Sequence, residues 1–344
     1  MYLRNTSHLP AVTVAAAVHL ALALASGAAL ADAPPPGVTS ATTNTQVYLN
    51  PNGVPIVNIA NPNAAGVSHN QYTQFNVDSR GVVLNNGTAD QISRNSRLAG
   101  QTFANLNLNS SASLILNEVT SANRSVLAGF TEVLGAQADV IVANPYGITC
   151  NGCGFINTPR VALTTGTPNF AANGALSGIT VSSGDVLVSG AGLNATNQDY
   201  FNIITRTLRV DGQINANELS IVTGASSWDF ASGEALNVGG AGAPAYAFDS
   251  TALGGIYADR IRILATEQGV GVRSLGEMAA TAEDFSTDAA GRIEIGGRIS
   301  AAGNIDVRYS GTLGEGGSTL GQRGIAVTAA NASLSAGQNL TLAS

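Results

Sequence analysis

The sequence predicts an all-β chain and, within that class, a β-solenoid. Three observations carry the prediction. First, the composition is rich in turn formers and poor in charge: of 344 residues, 40 are Gly and 31 Asn, only 11% are charged, and lysine is absent. Ala is plentiful, but Glu, Gln, Met and Leu are too sparse to build helices. Second, short Val/Ile/Leu runs alternate with Asn, Gly and Ser from Val38 onward, the pattern of strands bounded by turns. Third, a unit of about 21 residues recurs in the C-terminal half. At about 150 residues per domain, the length allows two domains or one large all-β unit. The net charge of −7, with no basic cluster, argues against a nucleic-acid binder. The scarcity of charge excludes a charged disordered tail.

Residues 1–31 read as a cleaved export signal and stand outside the fold. Arg4 supplies a basic start, Leu9 to Leu24 are mostly Ala, Val and Leu, and Ala29-Leu30-Ala31 fits small-x-small cleavage before Asp32-Ala33-Pro34-Pro35-Pro36. The apolar run is broken by Thr13, His19, Ser26 and Gly27, short of the roughly 20 clean residues a membrane span needs. The remaining chain carries 14 Arg against 22 acids, and no second apolar span follows. The expectation is a protein exported through the periplasm and soluble beyond the inner membrane.

Strands are expected at Val54-Pro55-Ile56-Val57-Asn58-Ile59, Gly81-Val82-Val83-Leu84-Asn85-Asn86-Gly87, Ser113-Leu114-Ile115-Leu116 and Asp139-Val140-Ile141-Val142-Ala143. One segment, Asn123 to Leu134, reads as a short helix, against the preference of Gly129 and Thr131. Beyond Gly178 the repeat anchors on Ile214, Ile256, Ile299 and Leu334, at intervals of 42, 43 and 35, and Met278 splits the second interval into 22 and 21. Each unit is an apolar–Ser/Asn–Ala step, a turn and a short strand. Glycine-rich 231–245 and 311–324 are expected to protrude as loops. A single coil cannot bury its inward Val, Ile and Leu, but parallel strands stacked about 4.8 Å apart close a continuous core. Low charge suits such a stack, because like charges on successive coils would lie above one another. A β-sandwich with irregular strands is the competing architecture.

Two stretches are more specific than composition. Residues 54–87 read VPIVNIANPNAAGVSHNQYTQFNVDSRGVVLNNG; residues 114–166 contain LILNEV and then EVLGAQADVIVANPYGITCNGCGFINTPRVALTTG. Together they resemble the amino-terminal secretion domain of two-partner-secreted exoproteins, the filamentous-haemagglutinin family, which includes contact-dependent inhibition exoproteins. The resemblance covers about residues 38–290. That family has two short motifs, NPNL and NPNGI. The first corresponds here to Asn105-Leu106-Asn107-Leu108, with Leu in place of Pro. The second is Asn144-Pro145-Tyr146-Gly147-Ile148, with Tyr in place of the second Asn. Pro145 presets φ, Asn144 can cap the turn and Gly147 removes the steric cost of leaving it. Both motifs are read as corner turns rather than as direct transporter contacts.

The resemblance implies a right-handed parallel β-helix with an N-terminal cap, since an uncapped first coil would polymerise edge to edge. It implies three parts: the signal at 1–31, a secretion domain at 32–290, and haemagglutinin-type repeats at 291–344. The last repeat stops at Ala343-Ser344 with no polar cap, which reads as a truncated or continuing shaft. The implied partner is an outer-membrane β-barrel transporter with periplasmic receptor domains, which captures the chain before it folds by strand addition to a sheet edge. A surface receptor on a host or neighbouring cell is a further expected partner, and secretion or cell-surface display in a Gram-negative bacterium the expected location.

No catalytic constellation is visible. Cys150 and Cys153 form a C-x-x-C run without the βα context that lowers a thiol pKa, and with His69 as the one His beyond the signal segment there are too few ligands for zinc. In an exported chain a local disulfide is expected over a free thiol pair or a metal site. His69 lacks a nucleophile and is read as structural, as is Glu118. Parallel β-helices also house polysaccharide lyases and hydrolases, which is the alternative function. Such enzymes need clustered carboxylates, and the one tight acidic group, Glu283-Asp284 with Asp288, reads as a solvated loop. No enzyme activity, cofactor or metal is expected.

Overall fold

The computed structural model describes residues 37–240, 242–311 and 324–344. The signal reading of 1–31 and nearly all of the expected loop at 311–324 lie outside the described residues. The described residues belong to one contact unit, Pro34–Ser344, and contain strands and turns but no helix.

The chain winds as a parallel β-helix with three strand faces. The first face stacks Pro55–Asn58, Val82–Asn86, Phe130–Gly135, Cys153–Ile156 and then the starts of Leu193–Thr205 and Gln213–Thr223, in parallel register. Gly255–Ala258, Glu277–Ala280, Arg298–Ala301 and Ser333–Ala336 continue it. The second face runs from Val67–Phe75 through Leu114–Val119, Asp139–Ala143 and Arg160–Thr164 to Leu340–Ala343. The third runs from Ser125–Leu127 through Ile148–Cys150 and Asp185–Val188 to Ile325–Val327. The stack crosses residue 290 without a break, since Phe285–Ala289 pairs with Ile305–Tyr309.

Inward side chains form unbroken columns. On the second face Ile115, Val140, Val161, Phe201, Leu219, Ile261, Phe285 and Ile305 each lie in register with the next coil's residue, and all are buried. This is the physical content of the repeat: each apolar residue is covered by its successor, not by a distant element. The anchors Ile214, Ile256, Met278, Ile299 and Leu334 are consecutive partners on the first face. The 42-residue interval is therefore one coil with an insertion rather than two units of 21.

The N-terminal end is closed by antiparallel strands. Val38–Ser40 lies on Val67–Phe75, and Gln46–Leu49 on Pro55–Asn58. Reversing direction there stops the parallel edge from templating another coil. The expected capped β-helix is therefore observed.

The expected helix at Asn123–Leu134 is absent. Ser125–Leu127 and Phe130–Gly135 are strands on two faces, joined by a corner at Gly129. A Cβ there would come within 2.0 Å of the Asp78 carbonyl oxygen, so glycine permits the coil contact that the chain needs.

Among the described residues, two excursions leave the stack. A hairpin, Ser93–Ser96 with Gly100–Phe103, stands off the first face. A four-stranded antiparallel sheet is built from Thr167–Phe170, Leu176–Val181, Ser226–Asp229 and Ala235–Asn237. The expected loop at 231–245 thus contains a strand of this sheet. The sheet covers the outer side of the second face: Leu116, Ile141 and Ala162 pack with Leu176 and Phe230, and Ile204 and Val222 with Ile179, Val181 and Trp228. Burial on both sides explains why Asp139–Ala143 is apolar almost throughout rather than alternating. Past Ser220 and Val222 the same outward columns run on as Arg262, Ser286 and Asp306, and as Leu264, Asp288 and Arg308.

Charge follows the stack. Opposite charges on neighbouring coils pair: Arg273 with Asp249 (2.8 Å), Arg298 with Glu277 (3.2 Å), and Arg260 with both Glu218 and Glu283. The buried pair Arg206–Glu267 (2.8 Å) fastens the excursion, because Glu267 also accepts the Ala225 amide (3.1 Å) and Arg206 donates to the Gly242 carbonyl (2.7 Å).

Candidate recognition site

Both asparagine motifs are turns, at different corners of the coil. Asn144 sits between the second and third faces and is fully buried. Its Oδ1 accepts the Tyr146 amide (2.9 Å), and its carbonyl accepts the Gly147 amide (3.0 Å). Its Nδ2 donates to the Asn123 carbonyl (2.8 Å) and Ser125 Oγ (2.9 Å) on the preceding coil. One side chain thus shapes the turn and ties two coils. Gly147 has φ +105°, and a Cβ there would meet the Arg124 guanidinium at 2.3 Å. Arg124 in turn bonds both carboxylate oxygens of Asp185 (2.8 Å each). Ile148 enters the core while Tyr146 points outward.

Asn105 lies at the corner between the first and second faces. Its Oδ1 accepts the Asn107 amide (3.0 Å), and its Nδ2 donates to the carbonyls of Ile59 (2.9 Å) and Asn85 (3.0 Å). Leu108 is buried, whereas Leu106 is 83% exposed. In both motifs the outer asparagine and the last residue serve the fold, and the residue that departs from the family pattern faces solvent.

The same geometry occurs at a tetrad that sequence reasoning passed over. In Asn50-Pro51-Asn52-Gly53, Asn50 Oδ1 accepts the amides of Asn52 (3.1 Å) and Val54 (2.8 Å), and Gly53 donates to the Asn50 carbonyl (2.9 Å) with φ +75°. The signal was the literal Asn-Pro-x-Gly spacing.

Cys150 and Cys153 are joined by a disulfide across the corner from the third to the first face, with Cα atoms 5.3 Å apart. Both lie in the main core, at 0% and 1% exposure. His69 Nε2 pairs with Glu118 Oε2 (2.7 Å), Gln71 donates to the same oxygen (3.2 Å), and Phe170 packs on the imidazole with ring centres 5.2 Å apart. The His69 hydrogen bond holds the Glu118 carboxyl below its ordinary value against the opposing effect of burial. Of the acidic group, Glu283 pairs with Arg260, Asp284 accepts the Asn304 amide (2.7 Å), and Asp288 lies in a strand on the second face. Among the described residues no three His, Cys, Asp or Glu side chains converge to hold a metal.

A capped parallel β-helix whose distinctive residues are coil-tying asparagine turns is a solenoid scaffold. The comparisons with known proteins say which. The model of the TPS secretion domain matches residues 36–295, and the chain belongs to that family. It is 44% identical over 317 residues to the 16S rRNA endonuclease CdiA of Enterobacter cloacae, across 89% of this chain and 9% of that protein. It is 38% identical over 282 residues to the filamentous hemagglutinin of Bordetella pertussis, across 79% of this chain and 8% of that protein. The crystal structure of a filamentous hemagglutinin secretion domain superposes with TM-score 0.78 at 34% identity, covering 90% of this chain and all of the other. The chain therefore spans less than a tenth of the length of these full-length relatives. The shared region is the secretion domain, which assigns this chain to export rather than to catalysis.

Proposed function

We propose that this chain is the exported leading part of an exoprotein of the filamentous-haemagglutinin type, taken across the outer membrane by a β-barrel transporter with periplasmic receptor domains. On emerging, it folds into the first coils of a shaft that is secreted or displayed at the cell surface. The observation that carries this reading is the capped N-terminal edge. The N-terminal edge is closed by antiparallel strands, while coils propagate in one direction by parallel pairing. Such a stack can grow from its capped end as chain arrives, each coil using the last as template.

The domain division follows from the same reading: residues 32 to about 290 act as the secretion unit and 291–344 as the start of the shaft. The asparagine turns at 105–108 and 144–148 secure the early coils, and the Cys150–Cys153 bridge stiffens the corner between them. The relatives' nuclease names belong to those whole proteins. For this domain we propose no nucleic-acid contact, since most of its arginines are already matched by carboxylates on neighbouring coils or nearby in the same strand. A receptor on a host or neighbouring cell would be engaged by the longer protein.

The test is to express the wild type and a form lacking residues 105–166, each with and without the cognate transporter, and to compare medium with periplasm. Transporter-dependent release of the wild type alone is expected. Release without the transporter, or normal release of the deleted form, would refute the assignment.

A further inference from the structure

Among its 31 asparagines the chain has four that precede glycine, at 52–53, 86–87, 151–152 and 173–174. Asparagine is a chemically labile residue, and a following glycine makes it most so, because no Cβ shields the next amide. That amide nitrogen, once deprotonated, attacks the Asn Cγ. The new C–N bond closes a succinimide ring, and the side-chain nitrogen leaves as ammonia. Water, the only co-reactant, then opens the ring at either carbonyl to give aspartate or isoaspartate. The second product carries an extra methylene in the main chain.

In all four pairs the glycine amide is held in a hydrogen bond, which keeps the proton on the nitrogen and fixes its position. Attack therefore waits for that bond to open, and the sites differ in what holds it. Gly152 donates to the Gly192 carbonyl on the following coil (2.7 Å), Asn151 Oδ1 accepts the Ala191 amide there (2.9 Å), and the disulfide closes the same corner. Gly87 donates to Asn85 Oδ1 (3.2 Å). The Asn86 side chain is fully buried, with Nδ2 on the Ala112 and Ala136 carbonyls (2.9 Å each) and Oδ1 on the Ala112 amide (2.7 Å). Opening either of these sites means parting coils. Gly53 and Gly174 instead donate within their own turns, to the carbonyls of Asn50 and Ala171 (2.9 Å each), and both preceding asparagines are exposed. Such turns open locally, at little cost in free energy and without disturbing the core. The turn at 173 has extra ties: Asn173 Oδ1 accepts the Ala175 amide (3.0 Å), and Asn63 Nδ2 donates to the Gly174 carbonyl (2.7 Å). Asn52 has no comparable tie.

We propose that Asn52 is the spontaneous modification site of the folded domain: it loses its side-chain amide first, Asn173 next, and Asn86 and Asn151 last. Its turn joins the cap strand Gln46–Leu49 to Pro55–Asn58, the first strand of the first face. Isoaspartate at 52 lengthens the main chain between Asn50 and Val54. The two amides that Asn50 Oδ1 accepts, from Asn52 and Val54, then no longer both reach it, and the cap loosens. The chemistry needs no enzyme or partner, so it is independent of the export reading.

The test ages the purified full chain at neutral pH, one portion folded and one in concentrated urea. Each asparagine is followed by peptide mass spectrometry, with isoaspartate resolved from aspartate. In urea the four sites should react at similar rates. In the folded protein Asn52 should react at least about tenfold faster than Asn86 or Asn151, because local opening frees its glycine amide alone. Asn173 should fall between them. Ageing should also lower the unfolding midpoint of the wild type by about 2 °C, whereas Asn52→Ser, compared with its own unaged sample, should hold its midpoint. Equal rates at the four sites in the folded protein, or first reaction at Asn86 or Asn151, overturns the assignment. Extensive isoaspartate at 52 with an unchanged midpoint overturns the loosening of the cap.

Discussion

Asn144 concentrates much of the structural logic of this chain in one side chain. Its carbonyl oxygen shapes the turn and its amide nitrogen reaches the previous coil. Asn144→Ala leaves the fully buried Ser125 hydroxyl, the Asn123 carbonyl and the Tyr146 amide without these partners. Losing a cap of this kind costs about 1 kcal/mol, and unsatisfied buried groups raise the cost to about 1–3 kcal/mol. Urea unfolding of the purified domain should show that loss, with reduced export beside it. Pro145→Ala should be milder, because it frees φ and removes no hydrogen bond.

Glu118 supplies a second residue-scale prediction. Its folded carboxyl titrates below the ordinary value because of the His69 hydrogen bond. Its contribution is therefore present above the unfolded pKa and lost as pH falls through the folded one. Glu118→Gln should flatten the fall of stability below about pH 4.5, measured as the denaturation midpoint against pH. Asp139, two residues from the Ile141 contact of the outer sheet, acts in the opposite sense. Burial pushes its carboxyl up, so the cost of its charge is relieved on acidification. A Glu118→Gln curve that coincides with wild type would show that the pair contributes nothing.

At the scale of elements, the outer four-stranded sheet decides which faces are apolar. It joins segments that leave the helix two coils apart, 167–181 and 226–237, through the pairing of Leu176–Val181 with Ser226–Asp229. Its attachment depends on Arg206–Glu267, whose side chains are only 11% and 7% exposed. Arg206→Met strands a buried carboxylate, and breaking such a pair costs about 3–5 kcal/mol. Thermal unfolding of this variant should show the loss, and proteolysis between residues 226 and 245 should quicken. The corner glycines Gly254, Gly276 and Gly297 form a parallel case: Cβ atoms at the last two would lie 1.8 and 1.9 Å from carbonyl oxygens of the previous coil. Their 22- and 21-residue spacing is the repeat itself, written in glycine.

For the whole molecule, stability is a sum of nearest-neighbour coil contacts, and the outer sheet adds a link across several coils. A chain ending at residue 224 keeps the early coils but lacks Ser226–Asp229 and Ala235–Asn237. Its Ile204, Val222 and Ile179 should then be uncovered. It should bind a hydrophobic dye and self-associate in solution, whereas a chain ending at 300 should do neither. Equal dye binding by the two would show that the sheet is dispensable.

The sequence by itself determined the solenoid, because its repeat is local. Each anchor from Ile214 to Leu334 has its partner one period away, so spacing along the chain equals contact in space. The turn chemistry was legible for the same reason: Asn-Pro-x-Gly closes within four residues. Only the tertiary structure decided what depends on contacts between coils or on distant segments. The segment 123–134 carries apolar residues at Leu127, Phe130 and Leu134, a helical spacing, but the carbonyl of Asp78 against Gly129 makes it a corner. The double burial of Asp139–Ala143 needs Leu176 and Phe230, the latter nearly ninety residues further on. The exposure of Leu106 needs the hairpin before it. An apolar residue in the sequence announces that it will seek cover; whether cover comes from the next coil, from a distant sheet or from a partner is set by the path of the rest of the chain.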